Sequence, residues 1–124
     1  MVPLMRLFVR PRTAALTVLA LCAVHVHGAG SDRAAVAALV FEEQPDGKCQ
    51  ILSEGGKLVV LRNTDPDRTV RYRLVRLFLD VPQSRIDGRI AAGETPQKLG
   101  CNRVNGRTQS WRVERAAFVA STEE

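Results

Sequence analysis

Histidine is nearly missing from this sequence: its two histidines, His25 and His27, both fall within the first thirty of 124 residues. Aromatic residues are scarce, at 5% of the chain, with one Trp and one Tyr among them. No apolar run approaches the roughly 20 residues that a helix needs to cross a bilayer core. Internal repeats and low-complexity tracts are absent. Each gap excludes something. Beyond residue 30, no Ser–His–Asp or Cys–His arrangement can be assembled within one chain, which leaves carboxylates, lysines and Tyr72 for proton transfer. Gly55-Gly56-Lys57 lacks the spacing and following helix of a phosphate loop and reads as a hairpin turn. Asp65 and Asp67 lack the further oxygen ligands of a calcium loop and read as an Asx-type turn around Pro66. No cofactor is implied.

What is there begins with a processing signal. Arg6, Arg10 and Arg12 precede an uncharged apolar run over residues 13–24, and small residues follow at Gly28, Ala29 and Gly30. Positive start, apolar stretch and small residues in that order predict a cleaved signal peptide over residues 1–30. At about 1.5 Å rise per residue the run is too short to span a ~30 Å hydrocarbon core. Cleavage after Gly28 and cleavage after Gly30 both satisfy the small-residue requirement. A lipoprotein cut before Cys22 does not, because Leu21 stands where a small residue is needed. The cluster Cys22, His25 and His27 has metal-ligand chemistry but sits in the segment to be removed. A single exported domain is expected over residues 31–124, with a periplasmic or secreted location.

Removal of the signal changes the charge and the thiol count. The whole chain has 18 basic and 13 acidic residues, a net of +5. Three of the basic residues leave with the signal and no acidic one does, so fifteen face thirteen and the net falls to +2. Bulk basicity therefore gives no argument for nucleic acid. Three cysteines become two, and an isolated pair in an oxidising compartment is expected to form one disulfide, Cys49–Cys101.

The pattern of the mature chain is that of short strands. Residues 31–38 read as a small, Ala-rich arm, with residues 35–41 entering a first strand. Gln44-Pro45-Asp46-Gly47 signals a turn. Residues 49–52 are expected to form a short strand and residues 57–63 a buried one. Residues 69–74 alternate cleanly, Val70, Tyr72 and Leu74 against Arg71 and Arg73. The parity then slips, with Val75, Leu77 and Leu79 continuing on the opposite phase, so a bulge near Leu74-Val75 or a change of sheet is expected. Residues 81–84 read as a turn and residues 84–90 as a weak strand. A further turn over residues 92–96 leads to Leu99-Gly100-Cys101. Asn105-Gly106 is a type I′ hairpin signal. Residues 109–119 form the last strand, Trp111 and Val113 facing in, Arg112 and Glu114 facing out. About seven strands with regular turn signals and no amphipathic helix predict an all-β fold, a small sandwich or barrel.

Three features resemble small immunoglobulin-like β-sandwich proteins of the bacterial periplasm. They are the strand end Leu61-Arg62-Asn63-Thr64, the alternating strand over residues 69–74, and Ala92-Gly93-Glu94-Thr95 before Leu99-Gly100-Cys101. The resemblance covers residues 57–118. It departs from antibody domains in that Trp111 follows Cys101 and does not lie between the cysteines. It implies an immunoglobulin-like sandwich and protein partners, without a defined activity.

Candidate working residues follow from strand geometry. Arg71 and Arg73 share a sheet face, and Arg112 on the last strand is expected to extend them into a positive stripe for an anionic partner. The competing expectation is a solvated face whose arginines pair with Glu114 and other carboxylates. Adjacent Glu42 and Glu43 point to opposite faces of a strand and cannot act as a dyad. The expected function is a non-enzymatic module that binds another envelope or secreted protein, through the arginine stripe and the apolar residues 77–81. An inhibitor of a secreted hydrolase, presenting residues 102–108 beside Cys101, is a second expectation. An envelope component that pairs an exposed edge strand with a neighbour is a third.

Overall fold

The computed structural model describes residues 31–120. The expected signal peptide of residues 1–30, with Cys22, His25 and His27, lies outside the described residues, as does the tail 121–124. Seven strands and two short helices follow in the order α1 (Arg33–Ala38), β1 (Leu39–Gln44), α2 (Gly47–Leu52), β2 (Leu58–Asn63), β3 (Val70–Phe78), β4 (Val81–Ile90), β5 (Gln97–Cys101), β6 (Arg103–Val104) and β7 (Arg107–Phe118). They make two antiparallel sheets, β1-β2-β5 and β4-β3-β7-β6. The mostly β expectation and its count of seven strands hold.

The core lies between the two sheets. Val59 and Leu61 of β2 pack with Val70, Tyr72 and Leu74 of β3, Ile90 of β4, and Trp111 and Ala116 of β7. The period-2 face read at Val70, Tyr72 and Leu74 is thus the inward face. β5 runs across the four-stranded sheet. Near its start, Gln97 accepts a hydrogen bond from the Tyr72 hydroxyl on β3. At its end, the Cys101 carbonyl accepts from the Gln109 side chain of β7 at 2.9 Å. Between them Gly100 makes room for the Trp111 ring, which would lie 3.2 Å from a Cβ placed there. At the base of the core, buried Asn63 donates to the carbonyls of Arg68 and Ile90.

Several local expectations are corrected. Residues 33–38 form a helix, not an arm, because Asp32 caps it by accepting from the Ala34 amide at 2.9 Å. Residues 49–52 are helical, not a strand. Asp46 accepts from the Cys49 amide at 3.0 Å, and this cap starts α2 where a bare turn was expected. The first strand accordingly begins at Leu39. The turn expected at residues 81–84 lies at Leu79-Asp80, both with positive φ, and Val81 to Ser84 belong to β4. Pro82 is accommodated because β4 is an edge strand with a bulge at Gln83, where Arg76 pairs with Ser84 and Leu77 with Pro82. The Asn105-Gly106 turn is as read, with positive φ at both residues joining β6 to β7.

The parity slip has a specific resolution. A bulge occurs at the expected place, but on β7: Arg73 pairs with Arg115 and Leu74 with Val113, so Glu114 is the extra residue. β3 itself keeps its phase. Val75 and Leu77 therefore point to the outer face of the sheet, where both are buried, while Leu79 is exposed at the turn. Val75 lies in register between Arg85 and Arg112. The Arg85–Glu114 ion pair, 3.0 Å, passes from β4 to β7 across β3 and covers it.

Candidate functional site

Strand register builds a basic surface on the outer face of the four-stranded sheet. In one row Arg71 stands between Arg89 and Ala117; in the next, Arg73 stands between Asp87 and Arg115. Arg71, Arg73, Arg89 and Arg115 surround a groove of about 610 Å³ whose floor is Gly88, Ala116 and Ala117. Each row sets two like charges directly opposite each other, Arg71 against Arg89 and Arg73 against Arg115. Such pairs oppose sheet formation unless an anion lies between them. Asp87 meets part of this need. It accepts two hydrogen bonds from Arg73, at 2.7 and 3.0 Å. Those hydrogen bonds, with the nearby charges of Arg73 and Arg115, hold the Asp87 carboxyl below its ordinary pKa against partial desolvation. The same contact pushes the Arg73 guanidinium up. Arg89 and Arg115 have no carboxylate within ion-pair distance among the described residues.

The sequence-read stripe is therefore partly assembled. Arg71 and Arg73 do share the groove. Arg112 shares their face but stands one row further on, beside Val75, and does not line the groove. The competing expectation of cross-strand pairing is met at Arg73–Asp87 and Arg85–Glu114. Glu42 and Glu43 diverge as expected. Glu42 takes two hydrogen bonds from Arg62, which lower its pKa, while Glu43 accepts from Asn102. Arg89 and Arg115 are the residues sequence reasoning missed. Gly88 has no side chain to mark the inward face of β4, so only Ile86 and Ile90 signal that Arg89 faces outward. Without the bulge at Glu114, Arg115 would point inward. Its arrival on the outer face depends on a one-residue register change.

A second site opens at the side of the sandwich. Phe41, Val59, Trp111, Glu43, Asn102, Gln109 and Ser110 line a cleft of about 330 Å³. Trp111 is 7% exposed, and its indole N–H is buried without an acceptor among the described residues. Buried indole donors ordinarily have a partner. Beside this cleft, the hairpin of residues 102–108 is anchored by Asn102, which takes the Lys57 amide at 2.8 Å, and by the neighbouring Cys49–Cys101 disulfide, Cα–Cα 5.4 Å. Among the described residues there is no group of three metal-ligating side chains and no helix long and apolar enough to cross a membrane. Asp65 is an Asx turn as read, accepting from the Asp67 and Arg68 amides. Comparison with family models, curated proteins and solved structures finds no match.

Proposed function

We propose that the protein is a non-enzymatic binding module of the bacterial envelope or its surroundings, exported by a signal peptide over residues 1–30 and folded as an immunoglobulin-like sandwich. Its working surface is the arginine groove of the four-stranded sheet, and its ligand is an acidic segment of another exported protein. The observation that carries this reading is the convergence of Arg71, Arg73, Arg89 and Arg115 on one groove, in which Arg89 and Arg115 have no carboxylate within ion-pair distance among the described residues. A carboxylate-bearing chain laid in the groove would bring counter-charges to Arg89 and Arg115, in the planar geometry that guanidinium groups bind best.

Titration of the mature domain with a synthetic oligo-glutamate peptide tests it. Saturable binding is expected at low salt, falling steeply as ionic strength rises. Arg89→Glu with Arg115→Glu should abolish it, because each new carboxylate faces the arginine opposite and repels the peptide. Binding that is unchanged in the double variant removes the groove from the account.

A further inference from the structure

We propose that the free edge of β7 at Trp111 to Val113 accepts an extended segment of a partner protein as an added strand, with an acidic side chain set between two apolar ones. This site is independent of the arginine groove, which it does not use.

The backbone of β7 defines the window. Gln109 donates its amide away from β3, to the Asn102 carbonyl at 2.8 Å. Ala116 also bonds away from β3: its carbonyl accepts from the Asp32 amide at 2.8 Å, and its amide donates to the Ser31 hydroxyl at 3.1 Å. Backbone direction alternates along a strand. Counting from Gln109, Trp111 and Val113 point the same way, and the extra residue Glu114 restores the phase at Ala116. Trp111 and Val113 thus each present an N–H and a C=O to the open edge. Neither residue finds a partner there among the described residues. Asn102 closes the window at one end and Ser31-Asp32 at the other.

The side chains specify the occupant. Residues of an added strand opposite Trp111 and Val113 would turn inward, to the cleft of Phe41, Val59 and Trp111 with its unpaired indole N–H. The residue between them would turn outward beside Arg112, which is exposed and has no carboxylate partner among the described residues. Apolar, acidic, apolar is the pattern that fits. A second copy of this chain does not fit: antiparallel pairing of two β7 edges about residue 112 would place Arg112 against Arg112, and like charges directly opposite are destabilising.

The test is amide-resolved NMR of the mature domain with two blocked peptides, Thr-Val-Glu-Val-Thr and Thr-Val-Lys-Val-Thr. The chain's single Trp gives one indole N–H signal to follow. The glutamate peptide should produce saturable shifts at the Trp111 and Val113 amides and at the indole, with slowed hydrogen exchange at both amides. Arg112→Glu should weaken it by about fivefold and reverse the preference toward the lysine peptide. Val113→Pro removes an edge N–H that β3 does not use, and should abolish binding with the fold intact. If that variant misfolds, the Arg112→Glu charge swap still decides. The proposal is overturned by absence of shifts at these positions, by equal binding of both peptides, or by concentration-dependent exchange at the same signals without peptide, which would make the occupant a second copy. Arg89→Glu with Arg115→Glu should leave these shifts in place, so failure of the groove and failure of the edge are separately visible.

Discussion

At the scale of single residues, two aromatic side chains fix how the sheets meet, and each needs a glycine opposite. Tyr72 lies over its cross-strand partner Gly88 and reaches Gln97 on the other sheet. Trp111 lies against Gly100 of β5. An aromatic ring resting on a bare glycine backbone is a recurrent way to keep a glycine in a strand without leaving a hole. Burial holds the Tyr72 hydroxyl above its ordinary pKa, opposed by its hydrogen bond to Gln97, so it remains a donor at neutral pH. A Cβ at residue 88 would stand 2.6 Å from Cζ of Tyr72. That atom belongs to a ring locked in the core, so the ring must move or the strands must part. Gly88→Ala is therefore expected to destabilise the domain by about 1–3 kcal/mol, read from the midpoint of urea unfolding. An unchanged midpoint would mean that Tyr72 has freedom to shift which its burial argues against.

At the scale of elements, the two-residue loop joining β3 to β4 departs from what its geometry prefers. Leu79 and Asp80 both have positive φ, 51° and 64°, the pattern of a type I′ turn that Asn-Gly fills best. A leucine in the left-handed region costs about 1–2 kcal/mol. Leu79 is also exposed, so the core gains nothing from it. Replacing the pair by Asn-Gly should raise stability by about 1 kcal/mol, less whatever Gly adds to the freedom of the unfolded chain. Thermal unfolding of the double variant measures it. The contrast with Asn105-Gly106 shows what was legible in the sequence. That turn carries its chemistry in its residue types, and so does β3, whose alternation over residues 69–74 states its face. The Leu79-Asp80 turn carries no such signature, and the strongest turn-favouring residue nearby is Pro82, two positions past Asp80. The two helices have six residues each, less than two turns, too short for a 3.6-residue period to register. Their readable signals were the caps Asp32 and Asp46. The candidate site was legible in part for a related reason. Arg71 and Arg73 belong to the regular strand, whereas Arg89 lies on a strand whose inward face is marked only by Ile86 and Ile90, and Arg115 reaches the outer face through a bulge that pattern alone does not reveal.

At the scale of the whole molecule, the disulfide joins the parts least able to hold themselves. α2 buries Cys49 and leaves Ile51 and Leu52 exposed. A helix of this length is not stable alone in water. Cys49 ties it to the end of β5, and from there Asn102 bonds Lys57 and Glu43 while Gln109 bonds the Cys101 carbonyl. One covalent bond therefore sits where α2, both sheets and the β6–β7 hairpin converge. Cys49 and Cys101 are 52 residues apart, and in the chain-entropy model closing such a loop contributes about 4 kcal/mol. Small domains have little more than ~5 kcal/mol in total at the low end. The Cys49→Ala, Cys101→Ala variant should therefore be close to unfolding at moderate temperature. Loss should also be uneven. Hydrogen exchange is expected to show α2 amides unprotected in every molecule, while β3 and the Val70–Leu74 region of the core retain protection limited only by global opening. Uniform loss along the chain would mean that α2 is held by packing. Persistent α2 protection with unchanged global stability would mean that the bond closes a loop already closed by the sheets. The expected pattern, a melted α2 on a surviving sandwich, would leave the groove on the outer face of β3 intact in the reduced protein, and would disturb the cleft beside Trp111 through Asn102 and Gln109.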